Sequence, residues 1–350
     1  MSLIDKKTAL MFAKFDGVFP IDWLERAKKE ALCKFDSIGI TASGFRSPKT
    51  LYINFTEENT MVGDYIYLMW TKADRKIPKA TLELMMRREI DATKKSNNVN
   101  TLSQKILREI KQGIEERESR NMPVSCTDIP FIIDTKNNKV FIEATSDKNF
   151  DMLVGVFLKA FEVKIEQVNT ESLAYPNQLA DYTIKPSHAE VCPLNARNFM
   201  TWLWFKSEIV DGMNVYIKDF IELEDNQDVV DIKGSKTSVI KKADCANSVE
   251  AKMALLSGKK LKRANVYITL PEDQEMVFSG IMNADNLTFS SFEFPEGEEM
   301  GDEKAIERIE SLLSFEKELI RLFACYQTDT KDIKHLEDSI RAWANDKANY

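Results

Sequence analysis

The stretch DIPFIIDTKNNKVFIEATSDKNFDMLVGVFLKAF, residues 128–161, decides the fold class. Its first part holds two apolar runs separated by the polar turn TKNNK, the pattern of a β-hairpin. Phe150, Leu153, Val154, Phe157, Leu158 and Phe161 then recur at helical spacing. The strand-like segment VKIEQV follows. A hairpin that feeds a helix and then another strand predicts an antiparallel sheet with helices packed beside it.

The same grammar extends outward in both directions. TALMFAKF near the N-terminus reads as a strand, and Pro20 and Asp22 open a helix with Leu24, Ala27, Ala31 and Phe35 on one face. Residues 50–55 and 65–70 alternate as a hairpin around a turn at Glu57–Asn59. Pro78 starts a helix striped by Leu82, Met85, Met86 and Ile90, and KKSNNVN ends it. Thr101 and Gln104 form a capping box for the next helix. Beyond Pro176, the aromatic run 198–205 reads as core. Strands are expected at 213–223 and 228–241, a helix at 244–257 closed by Gly258, and a β-meander from Asn265 to Phe294. Two amphipathic helices end the chain. The expected fold class is α+β: antiparallel sheets with flanking helices, in two halves of similar plan. The expected regions are 1–175, 176–295 with the basic strand, helix and meander, and 296–350 for the C-terminal helices.

With 350 residues, 43% of them apolar and 30% charged, the chain has the composition of a globular protein. It contains no apolar run long enough for a transmembrane helix, and its N-terminus lacks the pattern of a signal peptide. Cys33, Cys126, Cys192, Cys245 and Cys325 are scattered and form no C-x-x-C, so reduced thiols and a cytoplasmic location are expected.

Charge is sorted by region. The net charge is −8, yet residues 233–263 hold nine cations and two anions, and residues 72–95 hold eight cations and four anions. Conversely, residues 219–231 carry six acids and no base, and 293–310 carry eight acids and two bases. The segment SGKKLKRANVYITL (257–270) places four cations within five residues, just ahead of an apolar strand. Clustered lysine suits phosphate contact without reading of base edges. The competing reading of such a cluster is a hydrated surface that maintains solubility.

Catalytic patterns are weak. KGSKTS (233–238) lacks the upstream glycine of a phosphate-binding loop. His188 and Cys192 have no second ligand pair for a metal. Glu162 and Lys164, with Asp134 or Glu143, could form a metal-dependent nuclease site, but E-x-K triplets arise readily in a chain this charged. No cofactor is expected.

The order of RKIPKATLELMM (75–86), FIIDTKNNKVFIEATS (131–146), MTWLWF (200–205), a basic strand, a lysine-bearing helix and GIMNADNLTFSSFEF (280–294) resembles the RdgC family of bacterial recombination-associated DNA-binding proteins. The similarity runs over roughly residues 11–319. It implies a homodimeric ring that binds double-stranded DNA without sequence preference, restrains a recombinase, is nucleoid-associated and carries out no chemistry. The DNA-binding set it implies is Lys72, Arg75 and Lys76 in the first basic region, Lys233, Lys236, Lys241 and Lys242 on the basic strand, and Lys259, Lys260, Lys262 and Arg263 after the helix. A metal-dependent exonuclease and a non-enzymatic protein-interaction scaffold are the alternatives.

Overall fold

A computed structural model describes residues 7–32, 41–49, 55–174, 196–210, 212–225, 237–241, 245–272, 276–295 and 301–346. Its first elements are β1 (Lys7–Phe15), α1 (Trp23–Lys29), β2 (Thr41–Arg46), α2 (Glu57–Thr60), β3 (Met61–Val62), β4 (Tyr65–Asp74), α3 (Lys79–Asn97) and α4 (Gln104–Glu118). Next come β5 (Ser125–Asp134), β6 (Lys139–Ile142), α5 (Asp147–Phe161), β7 (Ile165–Gln167), α6 (Thr170–Ala174) and α7 (Ala196–Ile209). The chain continues through β8 (Val215–Glu224), β9 (Thr237–Ile240), α8 (Val249–Leu256), β10 (Lys260–Thr269), β11 (Val277–Asn283), β12 (Thr288–Glu293), α9 (Gly301–Asp329) and α10 (Ile333–Asn345). The fold is α+β with antiparallel strand pairing.

Two compact units interleave along the sequence. The larger comprises Met1–Phe19, Met61–Ile66 and Phe131–Tyr350; the smaller comprises Pro20–Thr60 and Tyr67–Pro130. In the larger unit the strand order is β6-β1-β12-β11-β10-β8-β9, and β7 also pairs with β1. The β5–β6 hairpin forms as expected, with Phe131 opposite Ile142 and Asp134 opposite Lys139. Strand alternation sends Phe12 and Phe141 to one face, where Phe315 of α9 stacks on Phe12 and meets Phe278, Phe289 and Phe292 at 4.9–5.2 Å. Phe15 and Phe131 point the other way, into a chain of rings formed with Phe19, Phe157 and Phe161, the last two on α5. Burial on both faces explains why β1, β5 and β6 read as nearly continuous apolar runs.

The aromatic run 198–205 lies on α7, where residues 199–205 are all buried. Apolar side chains on every side make this a core helix rather than a surface one. Phe199 and Trp202 meet Phe323 and Tyr326 of α9, while Trp204 and Phe205 meet Trp343 of α10. Lys252 of α8 is fully buried in this second junction. Its Nζ lies 2.8 Å from Glu208 Oε2 and 4.8 Å from the Trp343 ring centroid. Glu208 also accepts the indole N–H groups of Trp204 (2.9 Å) and Trp343 (3.0 Å).

In the smaller unit β2 pairs with β4, and Phe45 packs edge-on to Trp70 at 5.0 Å. The chain leaving α1 lies directly against β2. Phe45 N donates to Glu30 O (2.9 Å), and Leu32 N donates to Phe45 O (3.0 Å). Gly44 permits this approach, because a Cβ there would fall 2.4 Å from Leu32 N.

Several local expectations change. The first helix ends at Lys29, with Ala31 in a parallel bridge to Phe45; Phe35 lies outside the described residues. Residues 57–60 form a helical turn rather than a hairpin turn, and the short β3 pairs with β4; residues 50–54 of the expected first strand lie outside the described residues. The N-cap of α4 is Ser103, whose hydroxyl accepts from Ile106 N, rather than Thr101. Strand β10 begins at Lys260, so three of the four cations stand within the strand and only Lys259 ahead of it.

Candidate polyanion-binding surface

The basic segment 259–263 is drawn into the sheet by its own neighbours. Strand β8, which carries Asp219, Glu222 and Glu224 of the 219–231 stretch, runs antiparallel to β10 and sets Lys260 opposite Glu224 and Arg263 opposite Glu222. Opposite charges directly across an antiparallel pair stabilise it. Between Leu261 and Arg263 the register shifts, and Lys262 is the additional residue of a β-bulge. Lys262 Nζ reaches Glu224 Oε2 at 2.8 Å and Asp285 Oδ2 at 4.0 Å. Arg197 of α7 completes the group, 2.9 Å from Glu224 and 2.6 Å from Asp285. The Lys262 and Arg197 partners hold the Glu224 carboxyl below its ordinary range.

The other cations of this cluster are similarly occupied. Arg263 pairs with Glu222 at 3.4 Å and lies over the Phe220 ring. Lys260 is half-buried and donates to Asn198 Oδ1; burial lowers its pKa. Lys259 is buried and donates to Ser238 Oγ at 2.9 Å. Part of the regional sorting of charge therefore has a structural cause: Glu224 and Glu222 of β8 pair with Lys262 and Arg263 of β10. Lys241 is exposed, near the Phe220 ring. Lys233, Lys236 and Lys242 lie outside the described residues.

The first basic region is different. Arg75 is structural, donating to the carbonyls of Arg120 and Met122 and so tying the end of β4 to the turn after α4. Lys76 is exposed and 2.6 Å from Asp74. Among the described residues Lys72, Lys79, Arg87, Arg88 and Lys95 are all exposed and form no ion pair. On α3 the half-buried side chains Leu82, Met85, Met86 and Ile90 form the inner stripe. Arg87, Arg88 and Lys95 fall on the opposite half of the helix, together with the acid Asp91; Lys79, in the first turn, lies on the stripe side and is exposed there, with Glu83 at the border. Position by position, Arg87, Arg88 and Lys95 escape sequence reading unless each is placed relative to the 82/85/86/90 stripe; that spacing is the signal that finds them.

No family model and no curated protein matches the chain.

Asp134 and Lys164, two of the groups considered for metal chemistry, have other partners. Asp134 accepts from the backbone N–H of Lys136 and Asn137 (both 3.0 Å) and from Asn137 Nδ2, closing its own hairpin turn. Lys164 pairs with Glu166 at 2.8 Å, and Glu162 is the left-handed C-cap of α5. Among the described residues no three His, Cys, Asp or Glu side chains converge as a metal site. His188 and Cys192 are not described. Cys126, Cys245 and Cys325 are free thiols, and no described helix is long and apolar enough to cross a membrane.

Proposed function

We propose that the protein binds double-stranded DNA without sequence preference and does no chemistry on it. The observation that carries this reading is the set of exposed cations on β4 and α3 that, among the described residues, form no ion pair: Lys72, Lys79, Arg87, Arg88 and Lys95. Cations already paired within the protein must give up a partner to meet a phosphate; these need not. Arginine adds planar, two-pronged contact with phosphate oxygens. Contact with the backbone alone orients a protein on duplex without selecting bases. The residues of the second basic region contribute through Lys241, while Lys259, Lys260, Lys262 and Arg263 serve the sheet first.

The test is binding to two unrelated duplexes over a range of salt. Equal affinities are expected, together with a loss of about 0.9 log unit per log unit of salt for each phosphate contact. Replacing Arg87, Arg88 and Lys95 by glutamate should flatten that slope by about 2.7 for three lost contacts. An unchanged slope and affinity in this variant would overturn the reading. Duplex left intact after incubation with Mg²⁺ agrees with the absence of chemistry; shortening opposes it. The resemblance adds a homodimer that closes round the duplex and limits a recombinase. Molar mass in solution tests the pairing, and strand exchange on protein-coated duplex tests the restraint.

A further inference from the structure

A cavity of about 400 Å³ opens between α7, the turn joining α8 to β10, and α10. Its walls are mainly apolar, contributed by Trp202, Leu255, Tyr326, Ile333, Leu336 and Ile340. The last three form the inner stripe of α10, and each remains half-buried. Lys260 enters the same cavity with Asn198 Oδ1 as acceptor, and burial depresses its pKa while the Glu337 carboxylate opposes that shift. The other charged groups lining the space are Lys259, whose ammonium bonds Ser238, the half-buried Glu337 and the exposed Arg341. Three cations and one acid thus surround a largely apolar volume. That combination, a greasy cleft of a few hundred Å³ with a few polar groups converging at one end, is the usual form of a small-molecule site.

We propose that this cleft binds a small amphipathic carboxylate, its apolar body against the inner stripe of α10 and its carboxylate on the Lys260 ammonium. A half-desolvated ammonium gains more from an anion than a fully hydrated one, since the interaction is weakly screened. A neutral ligand would leave Lys260 with its amide acceptor alone. A cationic ligand would face three like charges against one acid. Charge complementarity therefore selects the anion, and the apolar walls select a chain or ring over a free inorganic ion.

Decanoate, decanol and decyltrimethylammonium, each below its micelle concentration, are suitable probes for calorimetry on the full chain. Decanoate should bind saturably at one site, at least about tenfold more tightly than decanol, the worth of a charge-assisted hydrogen bond. The ammonium compound should bind more weakly than either. Lys260→Met should erase the preference for decanoate and leave decanol binding in place, with a thermal melt to confirm folding. Glu337→Gln, at a half-buried position, should tighten decanoate severalfold without altering decanol. Equal binding of all three probes would overturn the proposal, as would an undiminished decanoate preference in Lys260→Met. Absence of saturable binding, or a Glu337→Gln variant with unchanged decanoate affinity, counts equally against it.

Discussion

Two glutamates in the larger unit respond to acid in opposite directions. Glu224 sits between Lys262 and Arg197, whose charges and hydrogen bonds lower its pKa from the ordinary 4.5. The folded state therefore releases that proton more readily than the unfolded chain. The stabilisation is fully present above pH 4.5 and is lost as the pH falls through the lowered folded value. Glu316, on α9, is buried, and burial raises its pKa more than the nearby Lys139 lowers it. Here the folded state holds the proton more tightly, so stability declines as the pH rises from 4.5 through the raised value. Denaturant titrations at a series of pH values check both signs. Glu224→Gln should reduce the loss of stability below pH 4.5, whereas Glu316→Gln should remove the decline above it. Identical pH profiles for both variants and the parent would contradict the assignments.

At the scale of elements, Trp343 is the most heavily engaged side chain of α10 within the larger unit. Trp343 packs between Trp204 and Phe205, covers the Lys252 ammonium and donates to Glu208. Trp343→Ala should cost about 3–5 kcal/mol, and hydrogen exchange should show loss of protection concentrated in α10. Lys252→Met should also destabilise the protein, by about 1–3 kcal/mol, because it leaves the half-buried Glu208 carboxylate with two indole N–H groups but no counter-charge. Chemical denaturation of the two variants measures both figures. The sequence shows that α10 is amphipathic, but the lysine within the aromatic junction is invisible to it: periodicity marks apolar positions only, and Lys252 is fully buried. The hairpin, α5 and the meander were legible because each is set by local spacing and turn chemistry. The pairing of β8 with β10 was not, since it depends on which distant strands become neighbours. For the same reason the four cations of residues 259–263 looked like a free basic surface, although acids on the adjacent strand engage Lys262 and Arg263.

For the whole molecule, a net charge of −8 says little about DNA until internal pairs are subtracted. Salt bridges cancel much of the basic segment of β10 but leave α3 with its outward cations. Charge reversal should separate the two groups experimentally. Glutamate at Arg87, Arg88 and Lys95 should weaken DNA binding with little change in melting temperature, as expected for exposed positions. Glutamate at Lys262 should lower the melting temperature, because three carboxylates, Glu224, Asp285 and the new one, would then crowd around Arg197. Paired measurements of affinity and melting temperature decide the matter; a β10 variant that loses DNA while keeping its full stability would return that strand to the binding surface.

Gly44 gives the smaller unit a fault line. One added methyl would act as a wedge, prising the segment after α1 away from β2 and undoing the two backbone bonds that Phe45 makes there. Warming a Gly44→Ala protein should expose the amides of β2 and β4 while α9 still resists deuterium. Such a conditional lesion would switch off the cation-bearing part of the chain by temperature and leave every charged residue in place.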